Sequence, residues 1–231
     1  MQDVLTRLRK LGRPENVAGM ARYGITAKAA LGVPVAPLRA LARELGRNHT
    51  LAQQLWSTGI HEARILAALV DEPDKVTPGQ MDRWARDFDN WALCDGVCLH
   101  LFGRTPHAWG RLRFWSGRRE EFVRRAAFAL MAVLAVHAKD APDDAFLALL
   151  PLIERASADE RNGVKKAVNW ALRQIGKRNL ALNRAVLRAA ERIRAQGTPA
   201  ARWIASDALR ELRGTAVQQR LRERRLRRRA R

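Results

Sequence analysis

The chain has 231 residues, 47% hydrophobic and 29% charged, so it is long and apolar enough to bury a core and is not a disordered polymer. Forty-three Lys and Arg residues oppose 23 Asp and Glu, which leaves a formal charge of +20. Residues 220–231 carry eight Arg and one Glu, so about +13 remains on the rest of the chain. A body this basic indicates a polyanionic partner, most often nucleic acid. The alternative is an Arg-rich surface without such a partner.

Helical periodicity runs along the chain from its start to its end. Apolar residues recur at spacings of three and four, Ala, Leu and Arg are abundant, and no segment alternates as a strand does. Turn-forming residues separate helices of roughly 10–18 residues. They lie in "GRPEN", "LGVPVAP", "GRNHT", "DEPDKVTPG", "GRTPH", "KDAPDD", "SADERNG" and "AQGTPA". Such short connections predict antiparallel helix pairs, and the expected fold class is all-α.

Three features bear on where the protein acts. The start, "MQDVLTRLRKLG", lacks a continuous apolar region, which predicts that there is no secretory signal. The apolar run at 126–136 is too short to cross a bilayer and predicts a buried helix. Cys94 and Cys98 are expected to be buried thiols of a reducing cytosol and not metal ligands. We therefore expect a cytoplasmic bacterial protein, associated with the nucleoid if its partner is DNA.

A weak repeat runs through the predicted helices. Four segments begin with basic or polar residues and continue with small and apolar ones: "EARILAALV" from 62, "VRRAAFALM" from 123, "VKKAVNWAL" from 164 and "ARWIASDAL" from 201. The first gap can hold one more unit, containing "NWALCDGVC", and spacings of about 40 residues are typical of HEAT and armadillo helix pairs. The repeat predicts a superhelical α-solenoid with a concave basic groove. It would form one domain over residues 1–217, followed by an Arg-rich tail at 218–231; a compact irregular helical bundle is the alternative.

Four residues on three of these helices could form a reactive site. Trp91 and Asp95 are four apart and share a helical face. Arg125 and Trp170 lie in the next two repeats, where a regular stack would bring them onto the same concave surface. Each residue also has an ordinary structural explanation. Asp95 could cap a helix or form an ion pair, the two Trp residues could be core, and Arg125 could extend into solvent.

The segments that carry these residues resemble a known family. "MARYGITAKAALGV" at 20–33, "NWALCDGVC", "FVRRAAFAL" and "VKKAVNWALRQIGK" are similar, in this order, to the DNA alkylation repair proteins of the AlkD-like family, which are HEAT-like-repeat DNA glycosylases. In that family an aromatic residue, an Asp four residues later, an Arg one repeat on and a Trp two repeats on form the active cleft. The resemblance therefore implies catalytic roles for Trp91, Asp95, Arg125 and Trp170.

The resemblance also implies contacts with DNA. Tyr23 matches a family aromatic residue near the lesion, and Arg173 matches a contact to the DNA backbone. The neighbouring basic residues Lys165, Lys166 and Arg124 are further DNA-binding candidates. The expected partner is double-stranded DNA containing alkylated bases, held by a monomer without a cofactor, a metal, a membrane or a pocket for an extruded base. The expected reaction is hydrolysis of the glycosidic bond of purines alkylated at N3 or N7.

Two groups of residues fall outside this picture. The Arg-rich tail is not part of the resemblance, and it is either a solvated helix end or an additional phosphate contact. The histidines show no ligand spacing, and we expect surface or capping positions for all five: His49, His61, His100, His107 and His137.

Two other classes of function are open. A non-catalytic binder of branched or damaged DNA could use the same basic groove, but it would not need the Asp95 carboxylate. A HEAT-type scaffold for an acidic protein would not need aromatic faces beside that carboxylate. A magnesium-dependent nuclease is disfavoured because the sequence shows no suitable cluster of acidic residues.

The charge distribution generates a first testable prediction. We expect the affinity for duplex DNA to fall steeply with salt concentration, because cations that neutralise phosphates release counterions. Truncation after Val217 should weaken binding to every sequence and reduce the slope of log K against log salt concentration. Fluorescence anisotropy over a salt series measures both quantities, and an unchanged slope would assign the tail to solubility.

Overall fold

The structure is a computed structural model that describes the backbone of residues 1–229 and the side chains of residues 1–227. Within this range all regular structure is helical and no strand occurs. The chain forms two compact units, Met1–Arg111 and Leu112–Arg231, here called the N-terminal and C-terminal units. The all-α prediction is confirmed.

Short helices make up the N-terminal unit. They are α1 (Gln2–Leu11), α2 (Pro14–Arg22), α3 (Val35–Leu45), α4 (His49–Ser57), α5 (His61–Val70), α6 (Pro78–Arg86) and α7 (Trp91–His100), with 3-10 turns at Pro73–Lys75 and Phe102–Arg104. Helix α8 covers Ala108–Ser116. The side chains of Asn48, Thr77 and Asn90 cap α4, α6 and α7 by accepting a backbone N–H of the first turn. These polar residues, together with Pro78 at the first position of α6, explain where the helices begin.

Helix α5 is central to the N-terminal unit and packs against α3, α4 and α7. Beside it, the indole rings of Trp56 and Trp84 are stacked, with centroids 3.8 Å apart and planes within 4° of each other. Phe88 meets Trp56 edge-on, and all three rings are buried. Cys94 and Cys98 of α7 are buried, as predicted.

Longer helices make up the C-terminal unit. They are α9 (Glu121–His137), α10 (Asp143–Leu147), α11 (Leu150–Ala156), α12 (Asn162–Gly176), α13 (Leu180–Ala195), α14 (Pro199–Arg213) and α15 (Thr215–Arg229). Helix α9 packs along α12, which in turn packs against α13 and α14. The apolar run at 126–136 is buried as predicted except at its last residue, since 126–135 are buried and Val136 is 37% exposed. No helix among the described residues has the length and apolar character that a membrane span requires.

The repeat segments coincide with helices. Those that start at 62, 123, 164 and 201 fall at the beginnings of α5, α9, α12 and α14, and "NWALCDGVC" spans the beginning of α7. Within each unit these helices pack side by side, α5 on α7 and α9 on α12 on α14. The repeat therefore marks the helices that contact one another from pair to pair, as in HEAT arrays.

The boundary predicted at residue 217 does not coincide with a helix end, because α15 begins at Thr215 and continues through the described part of the predicted tail. Leu221 of α15 is 2% exposed. The Gln218 amide donates to the Leu212 carbonyl at 2.6 Å and to Asn183 Oδ1 at 3.1 Å. The start of the Arg-rich segment is therefore packed on the body of the C-terminal unit.

Candidate functional site

The first turn of α7 presents Trp91 to solvent. Asn90 caps the helix by accepting the Leu93 N–H at 3.0 Å, which fixes the direction in which α7 begins. The indole of Trp91 is 40% exposed, and its Nε1–H donates to the Tyr23 carbonyl at 2.8 Å. The Tyr23 side chain is 75% exposed. The structure thus brings together two of the predicted site residues from positions 68 apart in sequence.

The segment after Tyr23 is anchored to the first turn of α5. Its backbone N–H groups at Leu31 and Gly32 donate to the buried Glu62 carboxylate at 2.8 and 2.7 Å. Gly32 has a φ of +75°, and a Cβ there would lie 2.1 Å from the Arg13 carbonyl oxygen, so only glycine fits. The segment that follows Tyr23 is therefore held at its far end by a buried carboxylate that no sequence motif marks.

Asp95 lies one turn after Trp91 on α7 and is partly exposed. Its neighbours in sequence, Cys94 and Val97, are buried. A carboxylate at the edge of an apolar helix face can be ionised while its surroundings screen it less than water does. The shared face of Trp91 and Asp95 agrees with their spacing of four.

Arg125 of α9 is 6% exposed, so the structure gives it a buried position and not the solvent-directed one that a free cation would take. Its Nη1 donates to the Gly163 carbonyl at 2.6 Å, in the first turn of α12. The Gly163 N–H donates in turn to Glu121 Oε1 at 3.2 Å. One residue of α12 is thus held from both sides by α9.

Trp170 is partly exposed on α12, one turn after the exposed Lys166. Lys165, on an adjacent face, places its Nζ 5.4 Å from the ring centroid of Trp203, which is 43% exposed. This is cation–π geometry. Trp203 of α14 is a further exposed aromatic residue, and it was not singled out from the sequence. A signal for it existed, because it occupies the repeat segment that starts at 201.

The other two predicted DNA contacts are held in ion pairs. Arg124 Nη1 lies 3.2 Å from Asp159, and Arg173 binds Glu211 and lies 3.6 Å from Asp207. Burial raises the pKa of Glu211, but hydrogen bonds and charge from Lys177 and Arg173 outweigh this effect and lower it overall. To bind a phosphate directly, Arg124 or Arg173 would have to exchange a carboxylate partner for it.

His61 is buried and so does not occupy the surface or capping position expected from the sequence. The Asn90 amide donates to its Nδ1 at 3.3 Å, which requires a ring nitrogen that is free to accept. Burial lowers the pKa of His61 below its ordinary 6.5, although the Glu62 and Asp89 carboxylates oppose the shift. A neutral imidazole therefore supports the residue that caps α7.

The four predicted catalytic residues form two pairs. Trp91 and Asp95 lie on α7 in the N-terminal unit, and Arg125 and Trp170 lie on the packed helices α9 and α12 in the C-terminal unit. Convergence of the two pairs on one surface stays a prediction. The described residues contain no group of three or more His, Cys, Asp or Glu side chains arranged to hold a metal ion.

The model of a protein family described as DNA alkylation repair enzyme matches residues 4–212. The chain belongs to this family. The DNA alkylation repair region thus runs from α1 into the last turn of α14 and leaves α15 outside it.

A solved structure is also similar, with a TM-score of 0.74 and 18% sequence identity over 83% of this chain and 82% of the other. That protein is described as belonging to a new family related to the HEAT-like repeat DNA glycosylases, with affinity for branched DNA structures. The similarity confirms the predicted HEAT-like fold class. No curated protein matches this chain significantly.

The position of Arg125 generates a stability prediction. Arg125→Ala should lower the free energy of unfolding by about 1.5–3 kcal/mol, because it removes the buried charged donor that joins α9 to the Gly163 carbonyl. Urea denaturation measures this change. Arg155→Ala, which replaces an exposed arginine of the same unit, should change little and serves as the control. Equal stability of the two variants would contradict the structural role of Arg125.

Two histidines, the buried His61 and the half-buried His100, generate a pH prediction. Burial is the main cause that lowers the pKa of His61 and of His100 below 6.5, so the unfolded chain binds protons that the folded chain does not. Their stabilising contribution is complete above pH 6.5 and is lost as the pH falls from there through the lowered folded pKa. Unfolding by urea at about pH 7.5 and about pH 5 should show lower stability in acid.

His61→Gln and His100→Gln should each reduce this difference. His137→Gln, which changes an exposed side chain, should leave it as it is in the wild type. Equal stability of the wild type at both pH values would rule out the proposed burial effect.

Proposed function

We propose that the protein is a monofunctional DNA glycosylase that hydrolyses the N-glycosidic bond of cationic purines alkylated at N3 or N7 in duplex DNA. The observation that carries this proposal is the pair of Trp91 and Asp95 at the start of α7. A partly exposed carboxylate lies one turn from an indole whose orientation is fixed by its hydrogen bond to Tyr23. Membership of the DNA alkylation repair family supports the assignment.

The chemistry of the lesion suits these residue types. An alkylated purine that carries a positive charge is already a good leaving group, so no general acid is needed. The remaining requirement is to stabilise the oxocarbenium-like charge that develops on the deoxyribose. Asp95, when ionised, would supply the opposite charge and could orient the attacking water. The faces of Trp91 and Trp170 would line the sugar, with cation–π attraction of about 1 kcal/mol each.

The basic residues divide into two roles in this mechanism. Arg125 is buried and donates to the Gly163 carbonyl, so we assign it to positioning the start of α12 and not to direct contact with DNA. Lys166 is exposed and has no ion pair with another described residue, which leaves its charge available to the DNA backbone. Lys165 and Tyr23 would contact the same partner. We propose that the protein acts as a cytoplasmic monomer.

A second function has a specific observation in its favour. The solved protein with a similar fold has affinity for branched DNA structures, and a protein of this kind could bind junctions without excising bases. Such a binder would use the same cations, but it would have no need of the Asp95 carboxylate. Excision is therefore the measurement that separates the two functions.

Asp95→Asn keeps the size of the side chain and removes its charge. If Asp95 stabilises the transition state, the single-turnover rate of base release should fall roughly 10²–10³-fold, the range typical of such electrostatic groups. The assay measures free base and abasic sites from duplexes containing N7-methylguanine or N3-methyladenine. Affinity should change little, since loss of one carboxylate does not weaken attraction to a polyanion.

Asp74→Asn is the matched control, because Asp74 is an exposed carboxylate of the same unit, in the turn Pro73–Lys75. It should excise at the wild-type rate. Melting curves of all three proteins check folding. If the wild-type protein binds DNA tightly but releases neither base, the glycosylase proposal is wrong and the branched-DNA function takes its place.

A further inference from the structure

The C-terminal unit contains a cleft that no step of the proposed reaction uses. Its volume is about 1090 Å³, and it is bounded by the end of α9 with the loop after it, by the corner between α12 and α13, and by α15. Its lining is strongly basic. Eight of the lining residues are cationic: Lys139, Lys177, Arg178, Arg184, Arg220, Arg224, Arg225 and Arg227.

Three of these cations have partners on the protein. Lys177 Nζ lies 2.8 Å from Glu211, Arg178 donates to the Ala135 carbonyl at 2.8 Å, and Arg224 donates to the Lys177 carbonyl at 3.1 Å. The Arg224 bond is to a neutral carbonyl oxygen, which does not cancel the guanidinium charge.

The other five have no side-chain hydrogen bond or ion pair with any described residue. They are Lys139, Arg184, Arg220, Arg225 and Arg227. Asp143 is the one carboxylate among the described lining residues, and it accepts from the Asn179 amide at 2.8 and 2.9 Å. Like charges gathered around one cleft repel each other, and a bound polyanion would relieve that repulsion.

The types of residue indicate which polyanion fits. Arginine predominates over lysine, and its planar guanidinium pairs with phosphate through two parallel hydrogen bonds. No Phe, Tyr or Trp is among the described residues that line the cleft. The cleft therefore lacks the aromatic faces on which single-stranded nucleic acids stack their bases. Its chemistry matches a phosphodiester backbone whose bases are already paired.

We propose that this cleft binds the backbone of double-stranded DNA through a contact distinct from the one assigned to Lys166. Lys166 lies in the first turns of α12 and Lys177 just beyond its end, and eleven residues of helix separate them by about 16 Å. Helix α15 forms one wall of the cleft and lies outside the DNA alkylation repair region. The family match therefore does not account for the four arginines that α15 contributes to the described lining: Arg220, Arg224, Arg225 and Arg227.

Point substitutions test this proposal better than truncation does, because removing residues after Val217 would also remove the buried Leu221 and the hydrogen bonds of Gln218. The test variant is Arg184→Gln with Arg220→Gln, one residue from α13 and one from α15. The control variant is Arg155→Gln with Arg222→Gln. Both control residues are exposed, carry the same charge in the same unit, and do not line the cleft.

The affinity for an unmodified duplex is measured over a salt series by fluorescence anisotropy. The cleft variant should lose about tenfold in affinity at low salt, and its slope of log K against log salt concentration should decrease by about two, one per lost phosphate contact. The control variant should keep the wild-type slope. Binding to a single strand of the same sequence should fall less than binding to the duplex.

Equal losses in the two variants would show a general effect of net charge and overturn the proposal, as would wild-type binding by the cleft variant. An equal loss on single-stranded DNA would overturn the assignment to a duplex. Melting curves identify a folding defect. The single-turnover rate of base release at saturating protein should not change in the cleft variant. The glycosylase proposal fails by a separate result, wild-type binding without base release.

Discussion

The packing of α9 on α12 is the constraint on which the C-terminal unit depends. Helix α9 is buried along almost its whole length, and it carries the Arg125 charge into that interface. A buried guanidinium is tolerated when its donors find acceptors, and the Gly163 carbonyl supplies one. A Cβ on residue 163 would lie 2.5 Å from Glu121 Oε1, so glycine permits this close approach. The position of Lys166 and Trp170 on α12 follows from this junction.

Acidic residues set which of the many cations can reach a ligand. Asp159 holds both Arg124 and Arg161, and Glu211 holds both Arg173 and Lys177. Acidic residues are fewer than basic ones, and several of them pair with cations where helices meet. Cations elsewhere on the chain are therefore left without an acidic partner. Those that line the cleft beside α15 are the largest such group described above. The excess positive charge is therefore concentrated in particular groups of residues and is not spread evenly over the surface.

The sequence predicted the helices, the buried run and the shared face of Trp91 and Asp95, because all three follow from local periodicity. It could not predict the bond from Trp91 to the Tyr23 carbonyl, since nothing in either segment encodes a contact between positions 68 apart. The burial of Arg125 was missed for the same reason: a cation at the edge of an apolar run is consistent with both solvent and interface. Glu62 gave no signal, because a buried carboxylate that binds backbone N–H groups has no sequence pattern of its own.

The two proposed surfaces differ in what they can discriminate. Cations beside α15 recognise phosphate charge, which is the same at every nucleotide, so binding there is independent of sequence and damage. At α7, an aromatic face and a carboxylate offer little attraction to ordinary DNA, and the carboxylate repels its phosphates. That site would gain energy when positive charge develops between the indole and Asp95, which happens as a cationic base leaves its sugar. The cations beside α15 would then provide affinity for DNA, and the indole and carboxylate of α7 would provide selectivity for the lesion. A substitution that strengthens phosphate binding would leave the choice of lesion unaltered.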